Sequence, residues 1–341
     1  MRSKTVQIDR PTLHKVAEVS GFAISTVSMV LSGKADDVGI RPATQLKIMQ
    51  VAEELGYVPH KKAKDLFSGK SDSIGLIIHI LAPFILPLVR ELIQEAHNNN
   101  LGITPYITNG DPALEEHYLN LMRDGRVDAA ITLASIDGSI ERYRKYSNPP
   151  YNLKLLHYGG TLHSELHSIS HNSIEVGRLA ARHLIDIGCR SFGFLGGYNE
   201  LPAVKGFIDY LRACNQAEPQ VVFSKVPLPN IEQEVELARR FIRAGGIPEG
   251  VLAYNDSQAA ILLAELSRMG IRVPDDMAVI GCDNIEICRC TYPQLSSIDL
   301  NNALIAKTAI KMIRKIIDGS INEIVQVEVP ISLVTRESTR R

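Results

Sequence analysis

The 341-residue chain is too long for one compact core, and its ordinary composition, 45% hydrophobic and 22% charged, suits a globular protein of two or three folding units. No run approaches the roughly 20 apolar residues that span a bilayer, and the opening MRSKTVQIDRPTLHKV has no apolar signal-peptide core, so the expectation is a cytoplasmic protein with no membrane partner. The net charge of −1 is divided unevenly: residues 1–70 carry eleven Lys or Arg against seven Asp or Glu, and the remainder carries 26 against 31. A basic head on an acidic body fits a small polyanion-binding module ahead of a larger domain.

In chain order, the first predicted element is a helix capped by Thr12, with Leu13, Val16 and Ala17 on one face. Ser20-Gly21-Phe22 ends it, and Gly21 supplies the left-handed conformation of a tight interhelical turn. A second short helix follows in AISTVSMVL, with Val27, Val30 and Leu31 apolar. Ala17, Gly21 and Val27 have the spacing of a helix-turn-helix, whose second helix enters the major groove, although an ordinary helical hairpin can share that spacing. A third helix is predicted from Pro42 to Gly56, with Leu46, Met49, Ala52 and Leu55 as its apolar stripe. The basic stretch HKKAKDLF and the linker SGKSDS then lead into a strand, SIGLII.

TLHKVAEVSGFAISTVSMVLSGK and ATQLKIMQVAEELGYVPHKKAKDLFSGKSDSIGLI together resemble the start of a LacI/GalR-family repressor, and GVLAYNDSQAAILLAELSRMGIRVPDDMAVIGCDN resembles that family's sensor domain. The resemblance covers nearly the whole chain. It implies a helix-turn-helix headpiece over 10–58, a hinge helix and linker over 59–72, and a bilobed, periplasmic-binding-protein-like domain for effector binding and dimerisation over 73–341. Within the headpiece it places Ile24, Ser25 and Met29 against base edges, and Thr26 and Ser28 towards phosphates or local packing; Thr12, the helix cap, is also a DNA-binding candidate. It makes Leu66 the hinge leucine that wedges into the minor groove, and the basic trio Lys61, Lys62 and Lys64 is expected on phosphates, with a solvated charged linker as the alternative. The partners implied are operator DNA, a small-molecule effector and a second copy of the chain. The family usually has arginine where this chain has Met29. Methionine cannot make arginine's bidentate contact to guanine, so the expected operator departs from the family's G·C preference there.

After residue 73, apolar runs (SIGLIIHI, GITPYIT, DAAITLA, LKLLHYG, SFGFLGG, VVFSKV, GVLAYND, AVIGCD) alternate with amphipathic helical stretches. That alternation predicts an α/β domain of doubly wound parallel sheets. The length calls for two lobes, and the resemblance implies three chain crossings between them. The first lobe is expected to hold 73–172 and a strand near 298–300, the second 173–296 and the C-terminal end. By position, the effector candidates are Phe84, His171, Asn255, Asp256 and Asp283. Ala203 and Ala82 stand where the family commonly has arginine and asparagine, and His171 stands where aspartate is frequent, so the expectation is an effector other than an ordinary neutral sugar, or a weakened ligand response.

Other classes find less support. No GxGxxG follows a strand, no GxxxxGK[ST] occurs, and the histidines form no HExxH, so no enzyme, metal or cofactor is expected. The five cysteines, Cys189, Cys214, Cys282, Cys288 and Cys290, are expected as reduced thiols. A solute-binding protein would explain the bilobed domain but not the basic headpiece. A regulator of the same fold controlled by a protein, or by no ligand, stays open.

Overall fold

The computed structural model describes residues 11–57, 71–133, 138–159, 165–196, 201–223, 231–244, 246–321 and 323–340. The chain divides into two compact units, Met1–Ser71 and Asp72–Arg341.

The first unit contains helices α1 (Leu13–Ser20), α2 (Ile24–Leu31) and α3 (Pro42–Glu54). The Thr12 hydroxyl accepts the Lys15 N–H at 3.3 Å, satisfying one of the donors orphaned at a helix start. Gly21, at φ +75°, closes α1 by donating its N–H to the Ala17 carbonyl. Val16, Val27 and Ile48, one from each helix, are fully buried against one another's cluster, joined by Ala17, Val30 and Ala52. The predicted α3 stripe is corrected here. Leu46 and Met49 are exposed, and the buried face is Ile48, Val51 and Ala52, with Leu55 partly buried. Both stripes pass through Ala52 and Leu55 at helical spacing, so periodicity alone could not choose between them.

The second unit has two sheets. The first contains β1 (Ser73–Ile78), β2 (Gly102–Ile107), β3 (Ala129–Leu133), β4 (Leu155–Gly159), β5 (His167–His171) and β11 (Gln326–Val329). Their order is β11-β5-β4-β3-β1-β2, all parallel. Helices α4 (Leu86–Asn98), α5 (Pro112–Leu121) and α6 (Ser139–Ser147) lie between its strands in sequence. The second sheet contains β6 (Phe192–Leu195), β7 (Gln220–Val222), β8 (Gly250–Ala253), β9 (Ala278–Cys282), β10 (Ser296–Asp299) and β12 (Ser332–Val334). Its order is β12-β10-β9-β8-β6-β7, parallel except for β12 on β10. Helices α7 (Ser173–Asp186), α8 (Pro202–Ala213), α9 (Ile231–Arg243) and α10 (Asp256–Arg268) accompany it.

The chain passes between lobes after β5, after β10 and after β11, the three crossings expected. The strand exchange differs from expectation. β10 pairs with β9 in the second lobe, whereas β11 joins β5 in the first. Helix α11 (Asn302–Ile317) also returns to the first lobe, where Ile305, Ile310 and Ile313 pack with Leu88 and Leu92 of α4. Each lobe has its own apolar core, the second around Phe194, Phe207, Leu252 and Ile280.

Candidate functional site

Helix α2 has two faces. Val27 and Val30 are buried, whereas Ile24 and Met29 are 41% and 39% exposed and Ser25 is exposed beside them. Thr26 and Ser28 are half-buried at the margins. An isolated exposed isoleucine or methionine is unremarkable. Two of them framing a serine on the helix that follows the Gly21 turn form a compact surface suited to thymine methyl groups. Thr12 is exposed but its hydroxyl is engaged as the α1 cap, so it serves the helix start first. Lys61, Lys62, Lys64 and Leu66 lie outside the described residues.

A cavity of about 340 Å³ lies between the lobes of the second unit, where strand C-termini and helix N-termini of both face it. Phe84, His171, Asn255 and Asp283 all border it. Phe84 stands just ahead of α4. His171, the last residue of β5, is held on both ring nitrogens: Tyr158 Oη lies 3.0 Å from Nδ1 and Ser173 Oγ 3.1 Å from Nε2. Burial lowers its pKa to about 4, so the ring is neutral and serves as a rigid polar wall. Asn255 borders the cavity while its Oδ1 accepts the Gln258 N–H at 2.9 Å, capping α10.

Asp283 follows β9 with φ +97°, a conformation that non-glycine residues adopt only under constraint. The constraint is visible. Its N–H donates to the Ile298 carbonyl, and the next residue, Asn284, donates its N–H to Ser297 Oγ and its side-chain amide to Asp299. Arg336 donates in turn to Asn284 Oδ1 at 2.6 Å, and Asp299 accepts the N–H of Asn301 at the second lobe crossing. The cavity carboxylate is thus tied by short links to a segment that must bend if the lobes move.

Asp256 requires a correction. It does not border the cavity. It is fully buried, with Oδ1 accepting from the Ser297 hydroxyl at 2.6 Å and Oδ2 from the Ile285 N–H at 2.8 Å. Burial raises its pKa to about 6 against the pull of those donors. Its role is to brace the segment after β9 against α10, behind Asp283.

Sequence reasoning missed several cavity residues. Tyr158, Tyr254 and His157 stand at or near strand C-termini, the position where both lobes present side chains to a ligand, and that rule could have found them. Ser173 borders the cavity at the start of α7, as does Ala203, which the sequence singles out, near the start of α8. Lys205, two residues beyond Ala203, is exposed on another face of α8, as its helical offset requires.

Comparison with known proteins adds two family matches. Residues 12–60 match the model for bacterial regulatory proteins of the lacI family, and residues 181–339 match a periplasmic binding protein-like domain. Among curated relatives, the HTH-type transcriptional repressor PurR of Photobacterium profundum is 26% identical over 342 residues, covering 96% of this chain and 98% of its own. That of Vibrio parahaemolyticus is 27% identical over 337 residues, with 97% and 99% covered. Among solved structures, the lac repressor dimer bound to operator and the anti-inducer ONPF superposes with a TM-score of 0.84 at 20% identity, covering 97% of this chain and 99% of that one. The transcriptional regulator CelR in complex with cellobiose gives 0.68 at 21% identity, with 96% and 100% covered.

Proposed function

The chain belongs to the lacI family of bacterial regulatory proteins, and from that membership we propose that it represses transcription as a homodimer on a palindromic operator, under control of a small molecule bound between its sensor lobes. The observation that carries the DNA-reading part is the exposed Ile24–Ser25–Met29 surface of α2, opposite a face committed to the headpiece core. Two headpieces related by a two-fold axis match two half-sites in opposite orientation. The curated relatives are repressors and the lac repressor structure is an operator-bound dimer, which supports both parts of this reading. Phe84, His171, Asn255 and Asp283 are assigned to the effector, Asp256 to bracing. The hinge functions expected of Lys61, Lys62, Lys64 and Leu66 remain part of the proposal on sequence grounds.

The chain is read as non-enzymatic and cytoplasmic. Of the carboxylates near Asp283, Asp256 is consumed by Ser297 and Ile285, and Asp299 by the Asn284 side chain and the Asn301 N–H. No carboxylate among the described residues orients the His171 ring, whose lowered pKa makes it a poor base. None of the helices described is long and apolar enough to cross a membrane.

Selection of binding sites from random duplex DNA tests the proposal. The wild-type protein is expected to recover a palindrome with A·T pairs at the positions facing Met29. Met29→Arg should shift those positions to guanine, worth about 1–3 kcal/mol per bidentate contact. Recovery of no palindrome would refute the operator reading, and wild-type selection of guanine there would refute the apolar contact.

A further inference from the structure

We propose that the effector carries a cationic nitrogen, an ammonium or amidinium on a small apolar or aromatic frame, which pairs with Asp283 inside the cavity. This inference rests on the reading of the interlobe cavity as the effector site and goes beyond it by naming the ligand's chemistry.

Three observations converge. First, none of the described residues bordering the cavity is lysine or arginine. The sequence-adjacent stretches 160–164 and 197–200, GTLHS and GYNE, contain neither. An anionic ligand such as a sugar phosphate would therefore meet no countercharge in the walls described. Second, Asp283 presents a carboxylate to the cavity that no described group hydrogen-bonds. Burial and the neighbouring Asp256 both disfavour its charged form. An enclosed acid without a partner is costly as an anion, and a ligand that brings a positive charge removes that cost. Third, Phe84, Tyr158, Phe194 and Tyr254 border the same space. Aromatic rings attract a cation through their quadrupoles, and they offer a neutral sugar little hydrogen bonding.

The surrounding charges agree in sign. Asp256 and Asp299 stand behind Asp283, and the thiol of Cys282 is pushed up by all three carboxylates together with its burial. A cation near them, Arg336, is committed to the Leu295 carbonyl and to Asn284. Helix N-termini around the cavity favour negative charge, but two are already answered. Asn172 caps α7 by accepting from Glu175, and Asn255 caps α10, whose first turn also holds Asp256. Once a bound cation holds Asp283 in its charged form, that full charge outweighs what remains of those half-charges. Ala203 has the same sense: it presents only a methyl group to the cavity, which repels no cation.

Paired probes differing only in charge test this on the full-length protein: tyramine against its neutral alcohol tyrosol, and benzylamine against benzyl alcohol, with glucose as a neutral polyol. Binding is read by calorimetry and by thermal shift. Each amine is expected to bind at least about tenfold more tightly than its alcohol, and Asp283→Asn should abolish that preference. Thermal unfolding of the variant without probe reports whether it folds. If it does not, the wild-type amine-to-alcohol ratio decides alone. Equal binding of amine and alcohol, tighter binding of glucose, or no amine binding at all would overturn the assignment. Operator binding measured on the same preparation separates this outcome from failure of the regulator reading, which would appear as loss of DNA specificity.

Discussion

Replacing Gly206 by alanine is expected to destabilise the second sensor lobe by about 3 kcal/mol or more, at the top of the range for overpacked sites. Helices α7 and α8 cross closely enough for each to press a glycine against the other's backbone. A Cβ at Gly206 would lie 1.9 Å from the Ile174 carbonyl oxygen, and one at Gly177 would lie 1.9 Å from that of Ala203. A flexible side chain could swing aside from such a contact, but a helical carbonyl cannot move without displacing its helix. Alanine's better helix propensity returns only about 1 kcal/mol. The melting temperature should fall by about 6–12 °C for a domain of this size. The start of α8 supplies Ala203 to the cavity, so ligand binding should weaken as well. Gly102→Ala is the control: its Cβ would meet only ordinary contacts, the nearest at 3.6 Å, and its melting temperature should stay near wild type. Equal effects from the two substitutions would mean that the close helix crossing is not a constraint.

Glu115→Ala should cost the first lobe about 3–5 kcal/mol, the usual consequence of removing one partner from a buried ion pair. Glu115 is fully buried on α5 and gathers donors from several segments. It accepts from Ser139 Oγ at 2.9 and 3.1 Å, from the Arg142 guanidinium and from the Tyr143 hydroxyl. His79 Nε2 lies 2.9 Å from the same Tyr143 hydroxyl, and its Nδ1 lies 3.0 Å from Thr108 Oγ1. Alanine would take the shared acceptor away from a half-buried guanidinium and two buried hydroxyls. The loss is structural, not only electrostatic, because these partners hold the ends of β1 and β2 against α5 and α6. Urea unfolding followed by tyrosine fluorescence measures it. Half-buried Glu175→Ala, which breaks a pair with the exposed Arg178, should cost less than about 1 kcal/mol. A Glu115 effect no larger than that of Glu175 would refute the network's structural role.

Much of this architecture was legible because its signals are local. The Thr12 cap, the Gly21 turn and the apolar runs of β1, β3, β4, β8 and β9 can be read within a few residues of themselves. The failures were of two kinds. β5 and β10 read HSISH and SSID, without an apolar run, yet Ser168, Ser170, Ser296 and Ser297 are buried. Ser296 and Ser297 are tolerated there by hydrogen bonds to distant residues, Ser297 to Asp256 and Ser296 to Thr339. No local pattern announces a partner about forty positions away. The exchange of β10 and β11 between lobes is likewise a matter of pairing, to which composition is blind. At the cavity, the family resemblance named Asn255 and Asp283, and both border it. The resemblance could not show that Asp256, one position along, turns into the protein, since that depends on Ser297 and the Ile285 N–H arriving from β10 and the segment after β9.

Sequence-specific operator binding is tested most directly by fluorescence anisotropy of the full-length protein on its selected palindrome and on a scrambled duplex across a salt series. The palindrome is expected to be preferred by at least about 10³, with affinity falling steeply and linearly in the logarithm of salt as phosphate contacts release counterions. Equal affinity for both duplexes, or affinity indifferent to salt, would contradict it.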